Sequence, residues 1–158
     1  MKVMSRWGKN VNLNSPLQEY PRMQLQRGSY TNLNGRWEYQ ITDTKQLPYE
    51  HNWKPINVPF PLGSHLSGSD EILLPGKVLW YKKQFSYKPG EYHTYLNFEA
   101  VDQQCIVYLN GIEVGRHIGG YEPFSFDVSS YIKYQNALLV KCTDPSDTGE
   151  YAYGKQKI

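Results

Sequence analysis

An Asn-Gly pair at Asn110-Gly111 places the tightest constraint on the fold of this chain. It lies between two runs of alternating apolar and polar residues, Gln104 to Leu109 and Ile112 to His117. Both central positions of a type I′ turn require a positive φ, and Asn-Gly supplies it at low steric cost. The pair therefore predicts a two-residue β-hairpin inside a longer β-rich stretch, Leu96 to Ile132.

The rest of the chain repeats this pattern of short strands separated by turns. No segment shows a sustained 3.6-residue apolar period, so no long helix is predicted. A single helical turn capped by Asp127 or Ser129 is expected at 127–132. Short strands at this spacing, without helices between them, indicate an all-β sandwich. We predict strands at 37–41, 56–58, 79–87, 93–100, 104–109, 112–117, 124–128 and 137–143.

Composition and charge exclude several classes of function. The 158 residues suit one domain, and the net charge of +2 is dispersed along the chain, so no nucleic acid partner is expected. No apolar stretch approaches the roughly 18 residues of a membrane span, so no membrane association is expected either. Cys105 and Cys142 have neither metal-ligand spacing nor the pattern of a disulfide framework, and small buried thiols are predicted. Neither a metal nor another cofactor is predicted.

Both ends of the chain differ in composition from its middle. Residues 1–35 are polar and rich in turn formers, which predicts an extended arm packed on a sandwich at 36–158. The last residues, 143–158, have no strand pattern, so we expect the sandwich to stop before its closing strand and to leave an unpaired edge. The N-terminus lacks the apolar core of a signal peptide. A secreted protein after processing would look the same, so a cytoplasmic, periplasmic or secreted location stays open.

Several short motifs follow one another in a recognisable order. They are EYPRMQL (19–25), NLNGRW (32–37), VPFP (58–61), LSG (66–68), LWYKKQF (79–85), FEAVD (98–102), YLNG (108–111), GGYEPFSFD (119–127), DPSD (144–147) and GKQ (154–156). In this order, from about Trp7 onward, the chain resembles the N-terminal sugar-binding domain of glycoside hydrolase family 2. That family includes β-galactosidases, β-glucuronidases and β-mannosidases.

The resemblance implies a jelly-roll β-sandwich of the galactose-binding-like type, followed in the family by an immunoglobulin-like domain and a catalytic (β/α)8 barrel. Retaining glycosidases need two carboxyl groups about 5 Å apart. The carboxylates here are expected to satisfy loops and strand ends and not to form that pair; they include Glu99, Asp102, Glu122 and Asp127. The resemblance implies that the catalytic glutamates belong to the barrel, so this chain alone is expected to be inactive.

The remaining role toward substrate is a contribution to the rim of a pocket that the barrel completes. The loop Gly63 to Pro75 is the candidate because it is long, irregular and polar at His65, Asp70 and Glu71. Trp80 is a fourth candidate, because one of Trp80 and Tyr81 must face away from the core and could stack on a sugar. The alternative is that the loop only packs on the next domain. His117 could bind a ligand, but a hydrogen-bonded structural histidine is the favoured alternative.

Two other classes of function stay open at this point. A stand-alone carbohydrate-binding module would use exposed Trp or Tyr rings and would bind glycans without other domains. A protein-interaction sandwich would present an exposed apolar patch and bind no sugar. For the family 2 domain itself, a homo-oligomer contact is a further possible role beside scaffold and pocket rim.

Overall fold

The computed structural model describes residues 4–22, 24–43 and 46–145. The chain divides into two compact units, one formed by Met1–Trp37 with Pro55–Glu71 and the other by Glu38–Lys54 with Ile72–Ile158. The boundary at residues 35 and 36 between an arm and a sandwich stays a prediction. The expected absence of a closing strand concerns residues that lie largely outside the described part of the chain.

The described part of the chain contains eight β-strands, one 3-10 helix at Gly8–Asn10 and no α-helix. Every predicted strand is confirmed to within a few residues. The expected helical turn near 127–132 is a hydrogen-bonded turn, in which the N–H groups of Tyr131 and Ile132 donate to the Val128 carbonyl. The strands are β1 Gly35–Asp43, β2 Lys54–Val58, β3 Lys77–Ser86, β4 Tyr95–Phe98, β5 Gln104–Leu109, β6 Ile112–Ile118, β7 Phe124–Asp127 and β8 Gln135–Thr143.

Antiparallel pairing in the second unit gives the order β1-β3-β8-β5-β6, and β4 and β7 form a separate two-stranded sheet. The last of these strands, β8, therefore lies in the middle of the larger sheet, between β3 and β5. Strand β2 is the hydrogen-bonded neighbour of β1. The first residues of β1, up to Trp37, belong to the first unit.

Asn110 makes the predicted turn and also fastens it to β8. Asn110 and Gly111 have φ values of 53° and 84°, as a type I′ turn requires. The Asn110 side-chain amide donates to the Tyr131 carbonyl at 2.9 Å and to Asn136 Oδ1 at 3.0 Å. Its Oδ1 accepts from the backbone N–H of Ala137 at 2.9 Å. The hairpin turn is thus connected directly to the chain that enters β8.

One face of the larger sheet carries the apolar core. Its fully buried side chains come from alternate positions on neighbouring strands, as the period of two along a strand requires. Each buried Val or Leu contributes about 1.5–3 kcal/mol of transfer free energy. The core residues on this face in the second unit are Tyr39, Leu79, Val107, Leu109, Leu138, Val140, Cys105 and Cys142.

The two-stranded sheet packs its phenylalanines on β6. The Phe124 ring stacks on Phe98 with centroids 4.9 Å apart and on His117 with centroids 4.1 Å apart. The Phe126 ring lies directly over the backbone of Gly115, where any Cβ atom would overlap it. The absence of a side chain at Gly115 therefore permits the close approach of the two sheets.

The opposite face of the larger sheet is covered at one end by the segment between β1 and β2. Gln40 is buried and its side chain bonds the backbone there, donating to the His51 carbonyl at 2.9 Å and accepting from Tyr49 N–H at 2.6 Å. The Trp80 indole N–H donates to Thr42 Oγ1 at 3.0 Å, and Thr42 donates to the Gln46 carbonyl at 3.3 Å. Both faces of β3 are buried in this region.

We predict that Gly115→Ala lowers the free energy of unfolding by about 1–3 kcal/mol, because the new methyl group must displace the Phe126 ring in a packed interface. Urea denaturation followed by tryptophan fluorescence measures the difference. Gly90→Ala is the matched control, since no atom lies within 4 Å of the added Cβ. Equal stabilities of the two variants would contradict the close packing described here.

Candidate functional site

The loop between β2 and β3 carries three of the four predicted rim residues. Two glycines with positive φ bend it, Gly63 at 78° and Gly68 at 81°. Turn hydrogen bonds run from Ser64 N–H to the Pro61 carbonyl at 3.0 Å and from Gly68 N–H to the His65 carbonyl at 3.3 Å. The loop is therefore built from consecutive tight turns.

Short polar side chains fasten this loop from inside. Asn57 on β2 bonds it twice, with its backbone N–H to the Ser67 carbonyl at 2.9 Å and its side-chain amide to the Leu66 carbonyl at 3.1 Å. Ser67 is fully buried; its hydroxyl donates to the Ser64 carbonyl at 2.8 Å and accepts from Ser69 N–H at 3.1 Å. Such side chain-to-backbone bonds replace the strand ladder that an irregular segment lacks.

The three predicted residues of this loop differ in their exposure to solvent. His65 and Asp70 are exposed, and Glu71 is half-buried. These three residues lie within seven positions of one another in the first unit.

Trp80 differs from the other candidates, and this prediction needs correction. Its side chain is only 2% exposed, and its indole N–H is already bonded to Thr42. No ring face of Trp80 is open to a sugar in this chain. The alternation along β3 did turn Trp80 away from the main core, but Tyr108 on β5 and Lys141 on β8 lie against its ring on that face as well.

Of the four carboxylates considered, Asp127 has the best-defined surroundings. Its Oδ1 accepts from the backbone N–H and the hydroxyl of Ser129, at 2.9 and 2.5 Å, and its Oδ2 lies 2.7 Å from His93 Nδ1. The bonds from Ser129, followed by the bond from His93, lower the pKa of Asp127 from its ordinary 3.8 to about 2. Asp127 therefore stays ionised at neutral pH and is a poor proton donor. The prediction that it satisfies loop N–H groups is confirmed.

Asp102 has a structural position as well. Its carboxylate packs against the backbone of Gly120, so closely that a Cβ atom at that glycine would overlap it. Glu99 and Glu122 are exposed. In the described part of the chain, no group of three or more His, Cys, Asp or Glu side chains could hold a metal ion.

The sequence missed a cleft beside the two-stranded sheet. It has a volume of about 200 Å³ and is lined by Pro89, Gly90, Glu91, Tyr92, His93, Thr94, Ser129 and Ile132. Ser129 and Thr94 bind each other across it, since Thr94 N–H donates to Ser129 Oγ at 2.9 Å. Tyr92 is 88% exposed, and Tyr95, whose ring stacks on His93, is 55% exposed. The sequence feature that could have indicated this cleft is the group of aromatic rings at residues 92–95. The alternation of residues from His93 onward was interpreted as a strand instead.

His117 differs from the expected hydrogen-bonded histidine. Its ring stacks on Phe124, and its Nε2 atom is buried and has no hydrogen-bond partner among the described residues. The only other such side-chain atom found in the described ranges is Gln103 Oε1, which belongs to the residue just before β5. Packing with an aromatic ring, and not a bond from Nε2, determines the orientation of His117.

Comparison with known proteins agrees with this architecture. The model of the family described as glycosyl hydrolase 2 galactose-binding domain-like matches residues 71–157, more than half of the chain. The chain belongs to this family. The all-β fold described above is accordingly a galactose-binding-like β-sandwich, as the sequence motifs implied.

Curated relatives of this galactose-binding-like domain are glycosidases. A β-galactosidase of Thermoanaerobacter pseudethanolicus is 48% identical over 118 residues, which cover 66% of this chain and 15% of the relative. A β-glucuronidase of Formosa agariphila is 26% identical over 136 residues, which cover 76% of this chain and 14% of the relative. The chain thus spans about one seventh of the length of these relatives.

Solved structures of β-glucuronidases share the fold of the domain. The Bifidobacterium dentium β-glucuronidase complexed with coumarin-3-O-glucuronide matches 70% of this chain and 19% of its own, with a TM-score of 0.60 and 28% identity. The Faecalibacterium prausnitzii β-glucuronidase matches 72% of this chain and 20% of its own, with a TM-score of 0.63 and 23% identity.

No helix in residues 4–22, 24–43 and 46–145 is long and apolar enough to cross a membrane.

We predict that the Asp127 carboxyl titrates with a midpoint near pH 2 and that Ser129→Ala moves the midpoint up toward 3.8. A depressed pKa in the folded state means that the stability this group contributes is present above pH 3.8 and is lost as the pH falls through about 2. Carbon-detected NMR of the carboxyl group measures the midpoint. His93→Ala is the comparison and should raise it less. An ordinary midpoint in the unsubstituted chain would contradict the bonding described.

Proposed function

We propose that this chain is the non-catalytic galactose-binding-like domain of a family 2 glycosidase that hydrolyses β-linked galactosides or glucuronides. The observation that carries the proposal is the family match, together with the 48% identity to a β-galactosidase. The catalytic carboxylates of that enzyme would lie in a (β/α)8 barrel after an immunoglobulin-like domain, outside the 158 residues of this chain.

The carboxylates of the second unit support a non-catalytic role. A retaining glycosidase needs one carboxylic acid whose pKa is high enough to donate a proton and a second carboxylate about 5 Å away. Asp127 has its pKa lowered to about 2 and is bonded to Ser129 and His93. Asp102 is packed on a glycine backbone. Asp127 therefore lacks the raised pKa of a general acid, and the proposal assigns the chemistry to other domains of the enzyme.

The contribution of this domain to substrate binding would come from the loop of His65, Asp70 and Glu71. The loop backbone is held by Asn57 and by the buried Ser67, and the exposed side chain of His65 extends from it. A polar group on a held backbone loses less conformational entropy on binding a sugar hydroxyl than one on a mobile loop. The loop is therefore suited to select a sugar while the barrel cleaves it.

In the whole protein that carries this chain, we expect hydrolysis of 4-nitrophenyl β-galactoside or β-glucuronide, and we expect none from the 158-residue chain alone. His65→Ala should raise KM by about threefold to tenfold, equivalent to one lost hydrogen bond, with a smaller change in kcat. Steady-state kinetics measures both.

His51→Ala is the matched control for this variant, because His51 is also an exposed histidine but lies outside the loop. Equal KM values for the two variants would remove His65 from the rim. Absence of hydrolysis of both glycosides by the whole protein would contradict the proposed activity itself.

A binding module is the second candidate function, and the cleft beside the two-stranded sheet favours it. Carbohydrate-binding sites commonly offer flat aromatic faces next to a few polar groups, and Tyr92, His93 and Tyr95 present such faces beside Ser129. A module of this kind would bind glycans without help from a catalytic domain.

Isothermal titration of the 158-residue chain with galactosides and glucuronides separates the two candidates. If the domain is a binding module, heat is released at millimolar sugar, and Tyr92→Ala weakens binding about tenfold because a stacking face is lost. Tyr134→Ala is the control, since Tyr134 is an exposed tyrosine that does not line the cleft. No heat from the unsubstituted chain would leave the non-catalytic enzyme domain as the function.

A further inference from the structure

The two cysteines of the chain lie opposite each other in the core. The sequence spacing of Cys105 and Cys142 predicted two unrelated buried thiols, and both are free and only 3% exposed. In the antiparallel pair formed by β5 and β8, however, Cys105 is the direct register partner of Cys142. Residues directly opposite each other in a sheet point to the same face, so the two thiols are neighbours.

The hydrogen-bond pattern places this pair at a non-hydrogen-bonded position of the ladder. The backbone N–H of Asn110 donates to the Ala137 carbonyl at 2.8 Å, which marks these two as a hydrogen-bonded pair. Hydrogen-bonded and non-hydrogen-bonded pairs alternate along an antiparallel ladder, and the register of β5 and β8 has no bulge. Five steps from Asn110, the pair of Cys105 and Cys142 is therefore non-hydrogen-bonded.

Non-hydrogen-bonded pairs have the shorter separation, with Cα atoms about 4.5 Å apart and side chains closer together. A disulfide requires a Cα–Cα distance of roughly 4.4–6.8 Å. The spacing typical of the ladder position that Cys105 and Cys142 share falls within this range. Both cysteines lie in one row across four strands, flanked by Leu79 on β3 and His117 on β6.

We propose that Cys105 and Cys142 are a cross-strand disulfide site, closed by a low-molecular-weight disulfide such as glutathione disulfide. One protein thiolate attacks the small disulfide, forms a mixed disulfide and releases one small thiol. The second protein thiolate then attacks the protein sulfur of the mixed disulfide and releases the other small thiol. Two protein thiols are oxidised, two protons leave them, and one small disulfide is reduced to two thiols.

Burial determines when this exchange takes place. Both thiols are inaccessible in the closed sheet, and burial raises the pKa of Cys105 to about 11 and that of Cys142 still further, so little thiolate forms. Exchange therefore occurs while β8 is still open, during folding, and the finished sheet then protects whichever redox form it has enclosed. The ratio of small disulfide to small thiol during folding therefore decides whether Cys105 and Cys142 end as a disulfide or as two thiols.

The test refolds the reduced 158-residue chain from denaturant, once with glutathione disulfide and glutathione and once with dithiothreitol alone. Remaining thiols are alkylated in denaturant, and peptides are mapped by mass spectrometry without reduction. We expect the first sample to contain the peptide of Cys105 linked to that of Cys142 within one chain, and to unfold at a higher urea concentration than the second. Adding glutathione disulfide after folding should give far less of the linked peptide.

Two controls make the result specific. Cys105→Ala and Cys142→Ala each leave a single cysteine in the chain, so neither can give the linked peptide within one chain. The unsubstituted chain decides the proposal by itself, even if a variant folds poorly. Recovery of two alkylated cysteines, of stable mixed disulfides, or of links only between chains would overturn it.

Discussion

The side chain of Asn110 connects parts of the domain that are far apart in sequence. From the β5–β6 turn, its one amide group binds the Tyr131 carbonyl, Asn136 Oδ1 and the Ala137 N–H at the start of β8. Asn136 is itself buried and bonds the backbone of Lys133 in both directions. Since β8 is central in the sheet, the register of β3 and β5 alike depends on where this amide places the first residues of β8.

The same use of short polar side chains recurs at the places where function is proposed. Asn57 and Ser67 hold the loop that carries His65, and Ser129 holds Asp127 beside the cleft. In the first case the buried Ser67 and the half-buried Asn57 bond the loop backbone, and in the second the exposed Ser129 bonds the Asp127 carboxylate through its hydroxyl and its backbone N–H. Under the proposed function, this domain contributes to a binding surface and leaves bond cleavage to another domain, so the positions of its polar residues matter more than their reactivity.

The sequence contained most of the fold because strand alternation and turn chemistry are local properties. The Asn-Gly turn and all eight strands followed from residues within a few positions of one another. The burial of Trp80 did not, because it depends on side chains of other strands: Tyr108 and Lys141 lie against its ring, and Thr42 accepts from its indole N–H. The cleft near Tyr92 likewise requires Ser129, a residue distant in sequence that only the pairing of β4 with β7 brings close.

The central position of β8 has a consequence for how the chain is made. Strands β1, β3, β5 and β6 emerge from the ribosome before β8, yet β3 and β5 are both partners of β8 and not of each other. Contacts between distant parts of a chain form late because the intervening chain must first be ordered. Until the residues up to Thr143 have left the exit tunnel, β3 and β5 each keep an open edge, which is a template for pairing with another chain.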